Sequence, residues 1–257
     1  MRYATVLEEN RDELGEVLSI HRAGVTVRLL LTVYGPLVLA LLLAWLLPWF
    51  GRTEVLIFAV VCAVLLTAVA VMSAREGLVV CERGLLLGGM SRPRAPLLLV
   101  RYDQIVPGSL VPVTGAQRYT ALTRPAGKSE TLRILLGTRT GIHFVGPDPD
   151  VARRPRSARP PFLSSPVRSI DGRTIWFATT GRTSPADVTA EIAQAARRLG
   201  LHALADAAEA APTRELTKDP ADRHRLLPGY PMHSTEPMHP AVTTTTHWSL
   251  GPNPPTH

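Results

Sequence analysis

The stretch LLLTVYGPLVLALLLAWLLPWF at residues 29–50, followed after Gly51, Arg52, Thr53 and Glu54 by VLIFAVVCAVLLTAVAVMSA at 55–74, decides the fold expected of this chain. Neither run contains an acidic or basic side chain. As a helix the first would rise about 33 Å, which matches the roughly 30 Å hydrocarbon core of a bilayer, and the second is about as long. Four connecting residues make the two antiparallel neighbours, and a helical hairpin satisfies its own backbone hydrogen bonds in lipid. The expectation is therefore a transmembrane hairpin with spans at 29–50 and 55–74, behind an N-terminal segment at 1–28.

That N-terminal segment holds Glu8, Glu9, Asp12, Glu13 and Glu16, and the apolar run after it is too long for a signal-peptide core, so the first span is expected to stay uncleaved. Arg22 and Arg28 precede the spans and Arg75 and Arg83 follow them, against Arg52 alone in the turn. This bias predicts a multi-pass protein of the plasma membrane with both termini cytoplasmic, and Trp45, Trp49 and Phe50 suit an interfacial belt. Transport and proton relay require ionisable groups inside the spans, and none is present. Small residues at Ala59, Ala63, Thr67 and Ala70 mark a helix-packing face for the partner span or for a second subunit, a homo-oligomer.

Composition agrees with a chain whose apolar residues are concentrated: 46% are hydrophobic and mean hydropathy is +0.11 despite 23 prolines. Basic residues outnumber acidic ones by 28 to 21, and Lys128 and Lys218 are the only lysines, so the positive charge is carried almost wholly by guanidinium groups. Cys62 and Cys81 form no disulfide framework.

From Gly77 the texture changes to short strand-like runs: 78–89 as a pair meeting near Glu82, Arg83 and Gly84, then 97–102, 109–113, 117–123, 131–137, 141–146 and 174–180. Thr138, Arg139 and Thr140 read as a hairpin connection between 131–137 and 141–146. Trp176 and Phe177 face opposite sides of their strand. Ser184 as N-cap, Pro185 at the first helical position and Asp187 in the first turn open a helix whose apolar face is Val188, Ile192, Ala195, Ala196 and Leu199, with a shorter helix over 201–211. The domain at 76–211 thus reads as a small antiparallel sheet or barrel closed by a helix, with an insertion at 147–172 and a disordered Pro/Thr/His-rich tail at 212–257.

This order of parts resembles the bacterial pleckstrin-homology-like domains attached to membrane hairpins. The strand pair VVCERGLLLGG, the segment LLLVRYDQI at 97–105 and the junction from WFATT to the helix carry the resemblance. LGEVLSIHRAG at 14–24 is similar to a family of uncharacterised two-span membrane proteins of high-GC Gram-positive bacteria. The resemblance implies a cytoplasmic pleckstrin-homology-like fold and brings no catalytic residues. The 147–172 insertion departs from it.

The insertion carries Arg153, Arg154, Arg156, Arg159 and Arg168 against Asp148 and Asp150. Beside an inner leaflet each arginine would gain up to about 1 kcal/mol from anionic headgroups, and a protein partner could use the same guanidinium groups; a solvated loop is the alternative. The near absence of aromatics beyond Phe162 argues against nucleic acid. Five of the eight histidines fall after residue 223, at spacings that match no metal-ligand pattern. His143 reads as a surface or core histidine of a strand, and His21 and His202 as isolated. No phosphate-cradling loop and no GxSxG, HExxH or CxxC occurs. The expected function is a membrane-anchored, non-catalytic binding module for a protein or anionic lipid, with no metal or cofactor. The alternative is an assembly subunit of a larger membrane complex that acts through its helices.

Overall fold

The computed structural model describes residues 7–22, 31, 34–35, 37–39, 41–42, 52–74, 76–89, 97–118, 131–133, 138–153, 167–217, 219 and 221–230. In chain order these form α1 (Arg11–Leu14), β1 (Val17–Arg22), α2 (Arg52–Ala74), β2 (Glu76–Cys81), β3 (Gly84–Gly89), β4 (Leu97–Arg101), β5 (Val111–Thr114), β6 (Leu132–Arg133), β7 (Thr140–Gly146), α3 (Pro149–Ala152), β8 (Thr174–Thr179), α4 (Pro185–Arg198), α5 (His202–Ala210), β9 (Arg214–Glu215) and α6 (Asp222–Leu226). Short 3-10 turns lie at Tyr102–Gln104 and Ala116–Arg118.

Two sheets result. The first is antiparallel in the order β1, β2, β3, β4. The second is mixed, in the order β6, β8, β7, β5, β9, with parallel pairs at β6/β8 and β5/β9. Within the first sheet β2, β3 and β4 carry apolar runs without alternation because both of their faces are covered. Leu78, Val80, Leu85, Leu87, Leu98 and Val100 point into the central core, and Val79, Cys81, Leu86 and Leu99 point the other way onto Leu14. In the mixed sheet the period of two divides Trp176 and Phe144, stacked at 6.0 Å in the central core, from Phe177 and Ile175 on the outer face. α4 and α5 close the central core with Val188, Ile192, Ala196, Leu204 and Ala205. α4 begins where Ser184 and Pro185 place it, although the Ser184 side chain makes no capping bond.

Several expectations are corrected. Among the described residues no helix is long and apolar enough to cross a membrane. The first expected span, 29–50, lies largely outside the described residues. The transmembrane hairpin, and with it the multi-pass plasma-membrane placement with cytoplasmic termini, is overturned. The single small antiparallel sheet or barrel is replaced by two sheets, one of them mixed. Among the described residues the hairpin expected across Thr138–Thr140 is not found: β6 pairs in parallel with β8, and β7 pairs with β8 and β5. β1 was read only as part of a pre-span segment, yet it forms an edge strand on β2.

The tail expected to be disordered over 212–257 is, as far as Tyr230, a packed strap. Leu216, Leu227 and Tyr230 are buried on the outer face of the mixed sheet against Val111, Val113, Val145 and Phe177. Three anchors suffice because the sheet face beneath them is otherwise bare apolar surface, and covering it offsets the ordering of a polar segment. Residues 231–257 lie outside the described residues.

His143 on β7 is wholly buried under this strap, with Nε2 2.9 Å from the carbonyl oxygen of Pro228. Burial holds its pKa down to about 4, so the ring is neutral and donates. Between about pH 6.5 and 4 the unfolded chain binds a proton that the folded chain refuses. Stability is therefore full above pH 6.5 and falls as the pH drops towards 4, by about 3 kcal/mol in total. Urea unfolding at a series of pH values checks this: the wild-type chain is expected to lose stability over that window more steeply than His143→Leu. Equal slopes would show that His143 is not buried neutral.

Candidate functional site

An open cleft of about 420 Å³ is lined by Asp12, Glu13, Arg83, Arg101, Asp103, Leu199 and Leu201. Four pieces of chain meet there, and each has a local reason to do so. The hydroxyl of buried Tyr102 donates to the Cys81 carbonyl at 2.7 Å, which turns its neighbours Arg101 and Asp103 outward. Those two side chains form a bidentate ion pair, with Arg101 Nε 3.1 Å from Asp103 Oδ1, and Gln104 Oε1 accepts from the Arg101 backbone at 3.0 Å. Arg83 lies in the turn between β2 and β3 and donates to the Asp12 carbonyl at 3.2 Å. That turn is held to the N-terminal segment by Arg83 N to Leu14 O at 2.9 Å and Glu82 N to Glu16 O at 3.0 Å.

The leucine wall comes from the joint between α4 and α5. Gly200 adopts φ +77°, its amide bonds Arg197 O at 3.0 Å, and the Leu201 amide bonds Ala196 O at 3.0 Å. This is the Schellman arrangement, which reverses the chain and leaves Leu199 and Leu201 facing the cleft. Leu199, expected on the packing face of α4, is 43% exposed for this reason. Arg197 fixes the joint by bonding Asp206 at 2.6 Å and Glu209 at 2.5 Å, and these carboxylates raise its pKa.

A second polar grouping joins β1 to α4. Ser19 Oγ donates to Glu191 Oε2 at 2.6 Å, and His21 Nε2 lies 2.7 Å from Ser19 Oγ. His21 Nδ1 lies 3.0 Å from Thr183 Oγ1. The serine proton is committed to the carboxylate, so Nε2 donates to Ser19 and Nδ1 accepts from Thr183. Burial lowers the pKa of His21, in keeping with that neutral tautomer, while Glu191 opposes the shift. The imidazole is thus a donor to the serine and not a base poised to take its proton; the grouping works as a clasp between strand and helix. Sequence separations of 162 and 172 residues hide it from any local reading, so His21, expected to stand isolated, is in fact bonded.

Of the five arginines expected in the insertion, Arg154, Arg156 and Arg159 lie outside the described residues. Arg153 is 13% exposed at its side chain and lies 3.4 Å from Asp150, and Arg168 pairs with Asp148 at 2.5 Å, so those two are engaged within the chain. They do not meet at the cleft. On α2, Ala59 is buried, Ala63 is half-buried, and Thr67 is exposed with its hydroxyl 2.6 Å from that of Tyr34. The side chain of Ala70 lies outside the described residues. No group of three or more ligating side chains able to hold a metal ion occurs among the described residues.

Compared with family models, curated proteins and solved structures, the chain gives no match. The clasp makes its own prediction. Glu191→Gln removes the carboxylate that favours imidazolium, so the His21 pKa, read by NMR titration of the ring, is expected to fall further; an unchanged or higher value would break the assigned network.

Proposed function

We propose that this chain is a non-catalytic binding module that takes a segment of a partner protein in the cleft at the α4/α5 joint. The observation that carries the reading is the lining of that cleft, where Leu199 and Leu201 stand together with two guanidinium and three carboxylate groups. Protein interfaces combine apolar contact with charged and hydrogen-bonding groups in this way. Two arginines against Asp12, Glu13 and Asp103 leave a formal charge of −1, which opposes an anionic headgroup and suits a segment that carries both signs. Because Arg153 and Arg168 are already engaged, the lipid alternative loses two of its five arginines. A second reading, an assembly subunit, is favoured by one observation: Ile57, Phe58, Val61, Val64 and Leu65 on α2 are all exposed.

The test uses the full chain with a photo-crosslinking residue at Leu201, expressed in its native cells. A discrete protein adduct is expected, absent when the same residue replaces exposed Asp171 and weakened by Arg101→Ala. Equal labelling at both positions, or binding to anionic vesicles that Arg101→Ala abolishes, would contradict the proposal.

A further inference from the structure

The chain as a whole is basic, with a formal net charge of +7, yet one wall of the cleft is acidic. The segment around α1 carries Glu8, Glu9, Asp12, Glu13 and Glu16 against Arg11, and all six are exposed. Arg11 is taken up by Glu16 at 2.7 Å. Asp12 and Glu13 are the carboxylates of this segment that line the cleft.

The bases of the cleft do not offset them. Arg101 is spent on Asp103 through both Nε and Nη2, so that pair cancels. Arg83 gives Nη1 to a neutral acceptor, the Asp12 carbonyl at 3.2 Å, and keeps its charge. Two carboxylates, Asp12 and Glu13, then stand against the single guanidinium of Arg83.

The backbone that carries these acids is anchored. Leu14 is buried on the outer face of the antiparallel sheet, and the Glu16 amide donates to Glu82 Oε2 at 3.0 Å. Gly15 between them has φ +73°, and a Cβ there would stand 2.5 Å from that same oxygen. A wall in place before a partner arrives lowers the ordering cost of binding. The same cleft holds Leu201 and Leu199, the latter 43% exposed. A lysine or arginine side chain matches both features, because its methylene stem covers apolar surface while its charged head stays with the carboxylates.

We propose that the segment taken by the cleft is recognised through a basic side chain, lysine or arginine, whose stem lies on Leu199 and Leu201 and whose head pairs with Asp12 and Glu13. An acidic residue of the same segment meets Arg83, the cation that remains. This inference rests on the cleft being a binding site for a partner segment, and it names the chemistry that fills it.

The immobilised full chain is used to select from a random peptide library displayed on phage, and the enriched peptides are measured by fluorescence polarisation. They are expected to carry lysine or arginine beside an aliphatic residue, to displace the adduct formed at Leu201, and to bind more weakly as salt rises. Asp12→Asn combined with Glu13→Gln should weaken them roughly tenfold, whereas Asp171→Asn should leave them unchanged, with circular dichroism checking that both variants fold. Displacing peptides that lack a basic residue, or an affinity indifferent to the substitutions at Asp12 and Glu13, would overturn this inference and leave the cleft a binding site. A selection that yields no displacing peptide overturns it as well, and if the Leu201 adduct is also missing, the reading of the cleft falls with it.

Discussion

Every strand in the middle of either sheet carries apolar side chains on both faces, and no such sheet can stand in water with one face bare. This requirement organises the rest of the structure. The inner faces of the two sheets share one core with α4 and α5, where Trp176 and Phe144 stack. The outer face of the antiparallel sheet is covered by Leu14 from the N-terminal segment, and that of the mixed sheet by Leu216, Leu227 and Tyr230 from the strap. Segments that look peripheral in the sequence are thus covers, and at about 25 cal/mol per Å² of apolar area each contributes more than its polarity suggests.

The same arrangement places the polar groups. Once Tyr102 turns inward, Arg101 and Asp103 are obliged to face solvent, and the Schellman turn at Gly200 brings Leu199 and Leu201 opposite them. The clasp of Ser19, His21, Glu191 and Thr183 ties the edge strand β1, which pairs with β2, to α4.

The parts legible in the sequence were those whose signals are local. The turn at Glu82 and Arg83, the opposite facing of Trp176 and Phe177, and the start of α4 at Pro185 each follow from neighbouring residues. What escaped was set by distant partners. β1 is a mixed polar and apolar run that becomes a strand only because β2 lies beside it. The strap has the composition of a disordered tail and is ordered by three apolar anchors. The hairpin across Thr138–Thr140 failed because β8, buried along its whole length, takes both β6 and β7 as neighbours. The cleft draws on residues from 12 to 201, which no spacing rule connects. The apolar run at 55–74 was the loudest local signal, yet the structure finds no spanning helix among the described residues.

Native-state hydrogen exchange on the full chain at neutral pH tests the central claim, that the strap is a structural cover of the mixed sheet. The amides of Leu216 and Ile170, bonded to Thr114 O and Gly229 O, should exchange slowly, in step with those of β7. Exchange of Leu216 and Ile170 at the rate of an unstructured peptide, while β7 stays protected, would contradict it.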